Sequence, residues 1–353
     1  MSHIRVLHIT THLDLGGTEK VMQQFASHLD GDKFKVAVFA YHDGPRKKQL
    51  RAAGIPTVVG NDPTKTIIQF KPDIIHIHRA GWPDKIFMRP LATSKAPIVE
   101  TNVFGRHDPT PDGKKIARHL FVSDFCLNRF QKETGIIASA PQYQRLYNPV
   151  DTDFFSQNSR SNRDFTQPIG LRISRADEGK WSDLALSFLP EVVKNIPNFQ
   201  YHILGGIPKA YEFVKKHNLE QNVIFHDPVS TDMEICQFLD LGSLFIHAND
   251  TGESFGLVIA EAMACGLPVI THPAEGLRDN AQLELVDDRK TGIIARTTEE
   301  YTQAICWLLT HPDQAQAMGM LGQKKAQAMY RCQHVTKQLE NIYFELLQGQ
   351  EGM

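Results

Sequence analysis

No stretch of this chain is long and apolar enough to suggest a membrane span. The most apolar run, Phe255 to Ile270, is interrupted by Glu261, Gly266 and Pro268, which suits a buried helix and turn. The opening segment MSHIRVLHITTHLDLGG lacks a basic start, a long apolar core and a small-residue cleavage site, so no signal peptide is expected. The five cysteines, Cys126, Cys236, Cys265, Cys306 and Cys332, show no CxxC or other metal-ligand spacing. A reducing compartment, the cytoplasm, is the expected home for such thiols. Low-complexity tracts are absent. No G-x-G-x-x-G follows either opening strand, which disfavours a dinucleotide-dependent oxidoreductase.

What remains is an ordinary globular composition, 41% hydrophobic and 22% charged, over 353 residues, about twice the size of a common domain. The net charge of -2 hides an asymmetry. Residues 1–150 hold 21 Lys plus Arg against 13 Asp plus Glu, a balance of +8, and the rest holds 17 against 27, a balance of -10. Basic clusters at Arg46, Lys47, Lys48 and Arg51, and at Lys114, Lys115, Arg118 and His119, are read either as solvated faces or as contacts for an anionic membrane or acceptor.

Short β-prone runs at Ile4–Thr10, Val36–Ala40, Thr57–Val59, Ile74–Ile77 and Ile98–Thr101 alternate with polar or amphipathic stretches. A second series follows a turn-rich stretch from 148 to 168. Strands are expected at Leu171–Ser174, Tyr201–Leu204, Val223–Phe225, Leu244–His247 and Pro268–Thr271, with a helix from Trp181 to Asn195. The alternation implies an α/β fold of two mainly parallel sheets covered by helices. The expected division is 1–150, 151–335 and a last helix, 336–353, that returns to the first domain.

The most informative segment is DTGESFGLVIAEAMACGLPVI, residues 250–270. Ser254 is placed to cap a helix from Phe255 to Cys265, and Gly256 lets the backbone approach a ligand at the helix start. The first-turn N–H groups and the positive end of the helix dipole suit a diphosphate. Glu261, two turns along an otherwise small and apolar helix, is suited to accept ribose hydroxyls. Glu253, in the preceding loop, is suited to do the same for a transferred sugar. Upstream, SRADEGKWSD supplies Arg175 and Lys180, two cations able to neutralise a leaving diphosphate.

Together these residues resemble the E-x7-E signature of glycosyltransferase family 4 with its AMACGLPVI continuation, and the resemblance extends over nearly the whole chain. It implies the GT-B architecture, two Rossmann-like domains facing a central cleft, and a metal-independent transfer with retention of configuration from a nucleoside diphosphate sugar. On that resemblance Arg175, Lys180 and Glu253 are the catalytic set. Gly16, Gly17, Ser254, Phe255, Gly256, Leu257 and Glu261 bind the donor, most commonly a UDP-sugar. Tyr147 to Asp151, YNPVD, matches a hinge with Pro149 in place of glycine, and Leu204 to Pro208 matches a GxGP turn. Asp151-Thr152-Asp153 has DxD spacing but falls at that hinge, so no metal and no other cofactor is expected.

One departure bears on the donor. Where family members carry a histidine after a first-domain strand, this chain has Asn102 in APIVETNVFG, and asparagine can neither carry a charge nor act as a base. His78 and His107 are alternative histidines, and Arg106, with Arg79 and Trp82, completes the candidates for sugar or acceptor contacts. The expected partners are a nucleotide-sugar donor, a glycan or glycolipid acceptor and an anionic membrane surface; nucleic acid is not among them. Other readings of the same architecture are a nucleotide-sugar epimerase, a sugar-phosphate synthase and a degenerate nucleotide-sugar binder.

Overall fold

The computed structural model describes residues 3–137 and 141–351. The chain divides into two compact units, Met1–Val150 with Cys332–Met353, and Asp151–Arg331. Each is built on one parallel sheet.

The first unit orders its seven strands β3-β2-β1-β4-β5-β6-β7. They are β1 (Ile4–Thr10), β2 (Phe34–Ala40), β3 (Thr57–Val59), β4 (Ile74–Arg79), β5 (Ile98–Asn102), β6 (Ile116–Phe121) and β7 (Tyr143–Arg145). Strands covered on both faces read as nearly continuous apolar runs; β2 comes nearest to this, while β1 and β4 carry buried histidines, His8, His76 and His78, among their apolar residues. β6 and β7 do not: IARHLF and YQR carry no such run, and neither was expected as a strand. His119 of β6 is nonetheless buried, because Glu100 of β5 accepts from its Nδ1 at 2.6 Å.

The second basic cluster is therefore split, with Lys114 and Lys115 exposed and His119 inside. The first is dispersed as well. Arg46 is buried and donates to Asp14 O and Gln23 Oε1, Lys47 pairs with Asp43, and Arg51 donates to Thr57 O.

The last helix, expected from 336, runs from Cys332 to Glu351 and packs on the first unit. Tyr343 contacts Phe34 edge-on at 6.0 Å and hydrogen-bonds His76 Nδ1 at 2.6 Å. Glu340 accepts from the Asp30 N–H at 3.0 Å.

The second unit orders six strands β10-β9-β8-β11-β12-β13. They are β8 (Ile169–Ile173), β9 (Gln200–Leu204), β10 (Val223–His226), β11 (Leu244–Ile246), β12 (Val269–Thr271) and β13 (Gly292–Ile294). The expected helix from Trp181 to Asn195 is broken into a 3-10 turn at Asp183–Ala185 and a helix Leu189–Asn195, after a separate turn at Glu178–Lys180. Pro190 explains the break: it has no N–H to donate and is tolerated only in a first helical turn, where it sits.

In both sheets the order of connection reverses once, between β1 and β4 and between β8 and β11. Ligands of open parallel sheets bind beyond the carboxyl ends of the strands at such a reversal. Beyond β8 and β11 lie Arg175, Lys180 and Glu253.

Candidate active site

β8 ends at Ile173, and the chain runs through exposed Arg175 into the tight turn that carries Lys180. β11 ends at Ile246 and leads through His247 and Asn249 to Glu253. Two adjacent strands thus deliver the three residues from positions more than seventy apart in sequence. Lys180 Nζ stands 3.5 Å from Glu253 Oε1 and 3.4 Å from the Gly252 carbonyl.

Glu253 is held on several sides. Asn249 Nδ2 donates to Oε1 at 2.5 Å, His247 Nε2 lies 3.3 Å from the same oxygen, and the Glu253 N–H donates to Gln282 Oε1 at 3.0 Å. Burial of Glu253 opposes its ionisation, but the His247 hydrogen bond, the Lys180 charge and the Asn249 bond outweigh it and bring its pKa down to about 2. His247 is itself pushed below the usual histidine range by burial, so it serves as a neutral donor. A carboxylate can only accept, which places the His247 proton on Nε2 and leaves Nδ1 to accept from the Thr271 hydroxyl at 2.9 Å.

The loop around Glu253 depends on glycine. Gly252 has φ +64°, and a Cβ there would stand 1.6 Å from the Asp279 carbonyl oxygen. Gly256, at φ +105°, is the residue before the helix Leu257–Ala264. The capping role expected of Ser254 therefore falls to Gly256, which makes no side-chain cap bond, and the helix starts two residues later than expected. Phe255 accounts for the shift: its ring is 1% exposed and meets Tyr330 edge-on at 5.2 Å, which holds the preceding backbone out of the helical path. The N–H groups of Leu257 and Val258 have no acceptor among the described residues, so the helix start presents donors where a phosphate would need them. Glu261 lies further along, 2% exposed.

Arg175 presents a side chain with no hydrogen bond or ion pair among the described residues; its carbonyl accepts from Trp181 Nε1 at 3.3 Å. The supporting residues His247, Asn249 and Gln282 were not anticipated. The signal available for two of them was their position directly after an apolar strand, FIHAND, where parallel sheets place ligand-facing groups.

The remaining candidates belong to the first unit. Gly16 and Gly17 form the entry to the helix Gly17–His28 after β1. His78, expected near a substrate, is 1% exposed and points into the unit, with its Nε2 3.0 Å from His8 Nδ1. The reason is strand alternation: His76 and His78 share one face of β4, both rings approaching Phe25. Nitrogens of His8, His76 and His78 all lie within 4.8 Å of one another, but His76 spends both of its own on Tyr343 Oη and Thr101 Oγ1. Asn102, also expected to contact a sugar, is 1% exposed and fully engaged. Its Nδ2 donates to Glu100 Oε2 at 3.1 Å and to the Arg106 carbonyl at 2.8 Å, and its Oδ1 accepts from the Arg106 N–H at 3.2 Å.

Glu100 and Asp108 together bind Arg79, at 2.6 and 3.1 Å, and Arg79 also donates to the Trp82 carbonyl at 2.7 Å. Burial of Glu100 works against its charge, but His119, Arg79 and Asn102 keep its pKa below the ordinary value. This network leaves Trp82 half exposed and stacked on Phe104 at 5.8 Å. Arg106 pairs with Glu133 at 2.5 Å, and His107 rests edge-on against Phe130.

Comparison with known proteins bears on the family and the fold. Residues 153–325 match the family glycosyl transferases group 1. The chain is 27% identical over 286 residues to a GDP-mannose-dependent alpha-(1-6)-phosphatidylinositol monomannoside mannosyltransferase of Mycobacterium tuberculosis, covering 76% of this chain and 67% of that protein. Among solved structures, a glycosyltransferase from Rickettsia africae superimposes with a TM-score of 0.79 at 16% identity, over 98% of this chain and 99% of that one. Anabaena Alr3699/HepE, in complex with UDP and glucose, gives 0.77 at 17% identity, over 96% and 99%. Both likenesses identify the fold as that of GT-B glycosyltransferases. The chain is therefore a glycosyltransferase, and its second unit carries the domain of glycosyl transferases group 1.

Proposed function

We propose that this protein transfers a sugar from a nucleoside diphosphate sugar to an acceptor hydroxyl with retention of configuration and without a metal, as in glycosyltransferase family 4. The observation that carries the reading is the approach of Lys180 to Glu253 beyond β8 and β11, beside a helix start with open N–H groups, with the uncommitted Arg175 five residues before Lys180 in the same connection. In the reaction the bond from the anomeric carbon to the diphosphate oxygen breaks and a bond to the acceptor oxygen forms. The acceptor proton passes to the departing diphosphate, so no protein base is required. Arg175, Lys180 and the N–H groups at the helix start stabilise the charge that develops on the leaving group. Glu253, ionised across the physiological range, accepts from hydroxyls of the transferred sugar, and Glu261 serves the ribose.

The donor nucleotide we assign is UDP or GDP. The sequence resemblance favours UDP, whereas the mycobacterial relative is named for GDP-mannose. That relative's acceptor is a phosphatidylinositol mannoside, and a glycolipid or cell-surface glycan is the acceptor class we assign. The half-exposed Trp82, held by the Arg79 network beyond β4, offers an aromatic surface for it. Lys48, Lys114 and Lys115 remain exposed on the positively charged first unit, where they suit peripheral contact with an anionic membrane from the cytoplasmic side.

The test is a thermal-shift titration with UDP, GDP, ADP and their sugars, followed by nucleotide release with a lipid-linked acceptor. A ligand at about 100 times its Kd adds roughly 2.7 kcal/mol of stability. A shift confined to one nucleotide series names the donor. No shift with any series removes the reading.

A further inference from the structure

Arg172 heads the fully buried side chains of the described residues by volume; it is 1% exposed and rises from the middle of β8. Its neighbours on the strand, Leu171 and Ile173, are what a buried parallel strand calls for. A guanidinium stays protonated in a protein and is costly to remove from water unless acceptors surround it, and an apolar side chain of similar volume is often equally good for stability. The contacts of Arg172 show what the charge does instead.

Nη2 donates to the Lys180 carbonyl at 2.9 Å and to Asn249 Oδ1 at 3.0 Å. Asn249 passes the restraint on through its Nδ2, which donates to Glu253 Oε1. The guanidinium also lies over the Trp181 indole, 4.4 Å from Cζ to the ring centre, and that indole donates to the Arg175 carbonyl. One buried cation therefore reaches the backbone of Lys180 directly, the carboxylate of Glu253 through one amide, and the backbone of Arg175 through one ring. The two intermediaries, Asn249 and Trp181, are themselves buried.

We infer that Arg172 is a positioning residue for the transfer reaction, setting the separation of Lys180 and Glu253 and the course of the Arg175 loop from beneath the site. This rests on the transferase reading proposed above. Asn249 is the relay: an asparagine in this place both accepts from the guanidinium and donates to the carboxylate, which neither aspartate nor an apolar residue does. A site of this kind is sensitive to small displacements, because supporting side chains fix the geometry in which transition-state charge is met.

The experiment is a double-mutant cycle on the intact chain, reading turnover by nucleotide release and nucleotide Kd by calorimetry with UDP and GDP. Arg172→Met and Asn249→Ala are each expected to lower kcat at least about tenfold while the nucleotide Kd stays within about threefold. The double variant is expected to lose little more than the worse single, since both cut one chain of contacts. A role confined to packing would lower Tm and leave kcat per folded molecule unchanged, and that result overturns the inference. So does a double variant whose losses multiply. If Arg172→Met does not fold, Arg172→Lys takes its place in the cycle, keeping the charge but not the planar guanidinium that lies over Trp181 while Nη2 reaches both acceptors. A wild-type chain that releases no nucleotide from any UDP- or GDP-sugar overturns the transferase reading and this inference together; an active wild type with an unaffected Arg172 variant overturns the inference alone.

Discussion

Lys180 Nζ and Glu253 Oε1 face each other at 3.5 Å, each partly open to solvent, the ammonium more so than the carboxylate. The carboxylate does not depend on the lysine for its place, since Asn249 and His247 hold it too and Gln282 fixes the Glu253 backbone. The lysine side chain, by contrast, reaches only Glu253 and the Gly252 carbonyl among the described residues. Lys180 is therefore the partner free to turn to an anionic leaving group. Lys180→Ala is expected to lower kcat at least about tenfold, the scale of about 1.4 kcal/mol of lost transition-state stabilisation. Glu253→Gln is expected to fall as far, because a neutral amide loses the charge that faces Lys180 and puts an NH2 donor in place of the second carboxylate oxygen. Steady-state kinetics with the donor named by thermal shift checks both, and near-normal turnover in either breaks the assigned role.

Arg175 separates function from stability more cleanly. Its side chain is exposed, and among the described residues its hydrogen bond to Trp181 is made by the backbone carbonyl, which Arg175→Ala keeps. The variant is expected to unfold within about 0.5 kcal/mol of wild type, as surface substitutions do. Turnover is expected to drop at least about tenfold. Urea unfolding and nucleotide release on the same preparation decide the matter, and a variant that keeps its activity excludes Arg175 from diphosphate neutralisation.

The chemistry was legible in the sequence where it is contiguous. Glu253, Gly256 and Glu261 fall in one segment, and Arg175 and Lys180 in another, and the resemblance of those segments to glycosyltransferase family 4 implies their phosphate and sugar contacts. The supporting residues come from elsewhere in the chain and meet only when the sheet forms. Arg172 left a trace, a charge inside an apolar strand, yet nothing local says that its partners are Lys180 O and Asn249. β6 was illegible for a similar reason: His119 breaks the apolar pattern of IARHLF, and its compensating partner Glu100 is on another strand. The start of the helix at Leu257 instead of Phe255 depends on the packing of Phe255 against Tyr330, which is also distant in sequence.

Asn102 occupies the place where the sequence resemblance expects histidine, and the structure gives it another task. Its amide closes the turn to Arg106 in both directions and supports Glu100. An imidazole cannot reproduce one acceptor and two donors on a single planar amide. Asn102→His is therefore expected to destabilise the first unit by about 1–3 kcal/mol, the cost of leaving buried polar groups unsatisfied. It is not expected to raise turnover. Thermal unfolding and kinetics of the variant check this; a stable and faster enzyme shows that the position tolerates a histidine after all.

The buried histidines make the strongest pH prediction. Burial pushes His8 down to about 3, and burial with the neighbouring rings pushes His76 and His78 well below the usual value near 6.5. The unfolded chain takes up protons at these sites as pH falls through about 6.5, while the folded chain does not. Stability is therefore constant with respect to them above that pH and is lost progressively below it, by up to about 1.4 kcal/mol per pH unit for each histidine. The carboxylates Glu100 and Glu253 add their own loss only below the ordinary glutamate value of 4.5, so the interval from 6.5 to 5 reports on histidine. His202 and His272 are lowered as well, and comparing wild type with His78→Asn removes their common contribution. Between pH 6.5 and 5 the wild type is expected to lose about 2 kcal/mol more than the variant in urea unfolding. Equal losses in the two chains place the acid sensitivity outside the His8, His76 and His78 cluster.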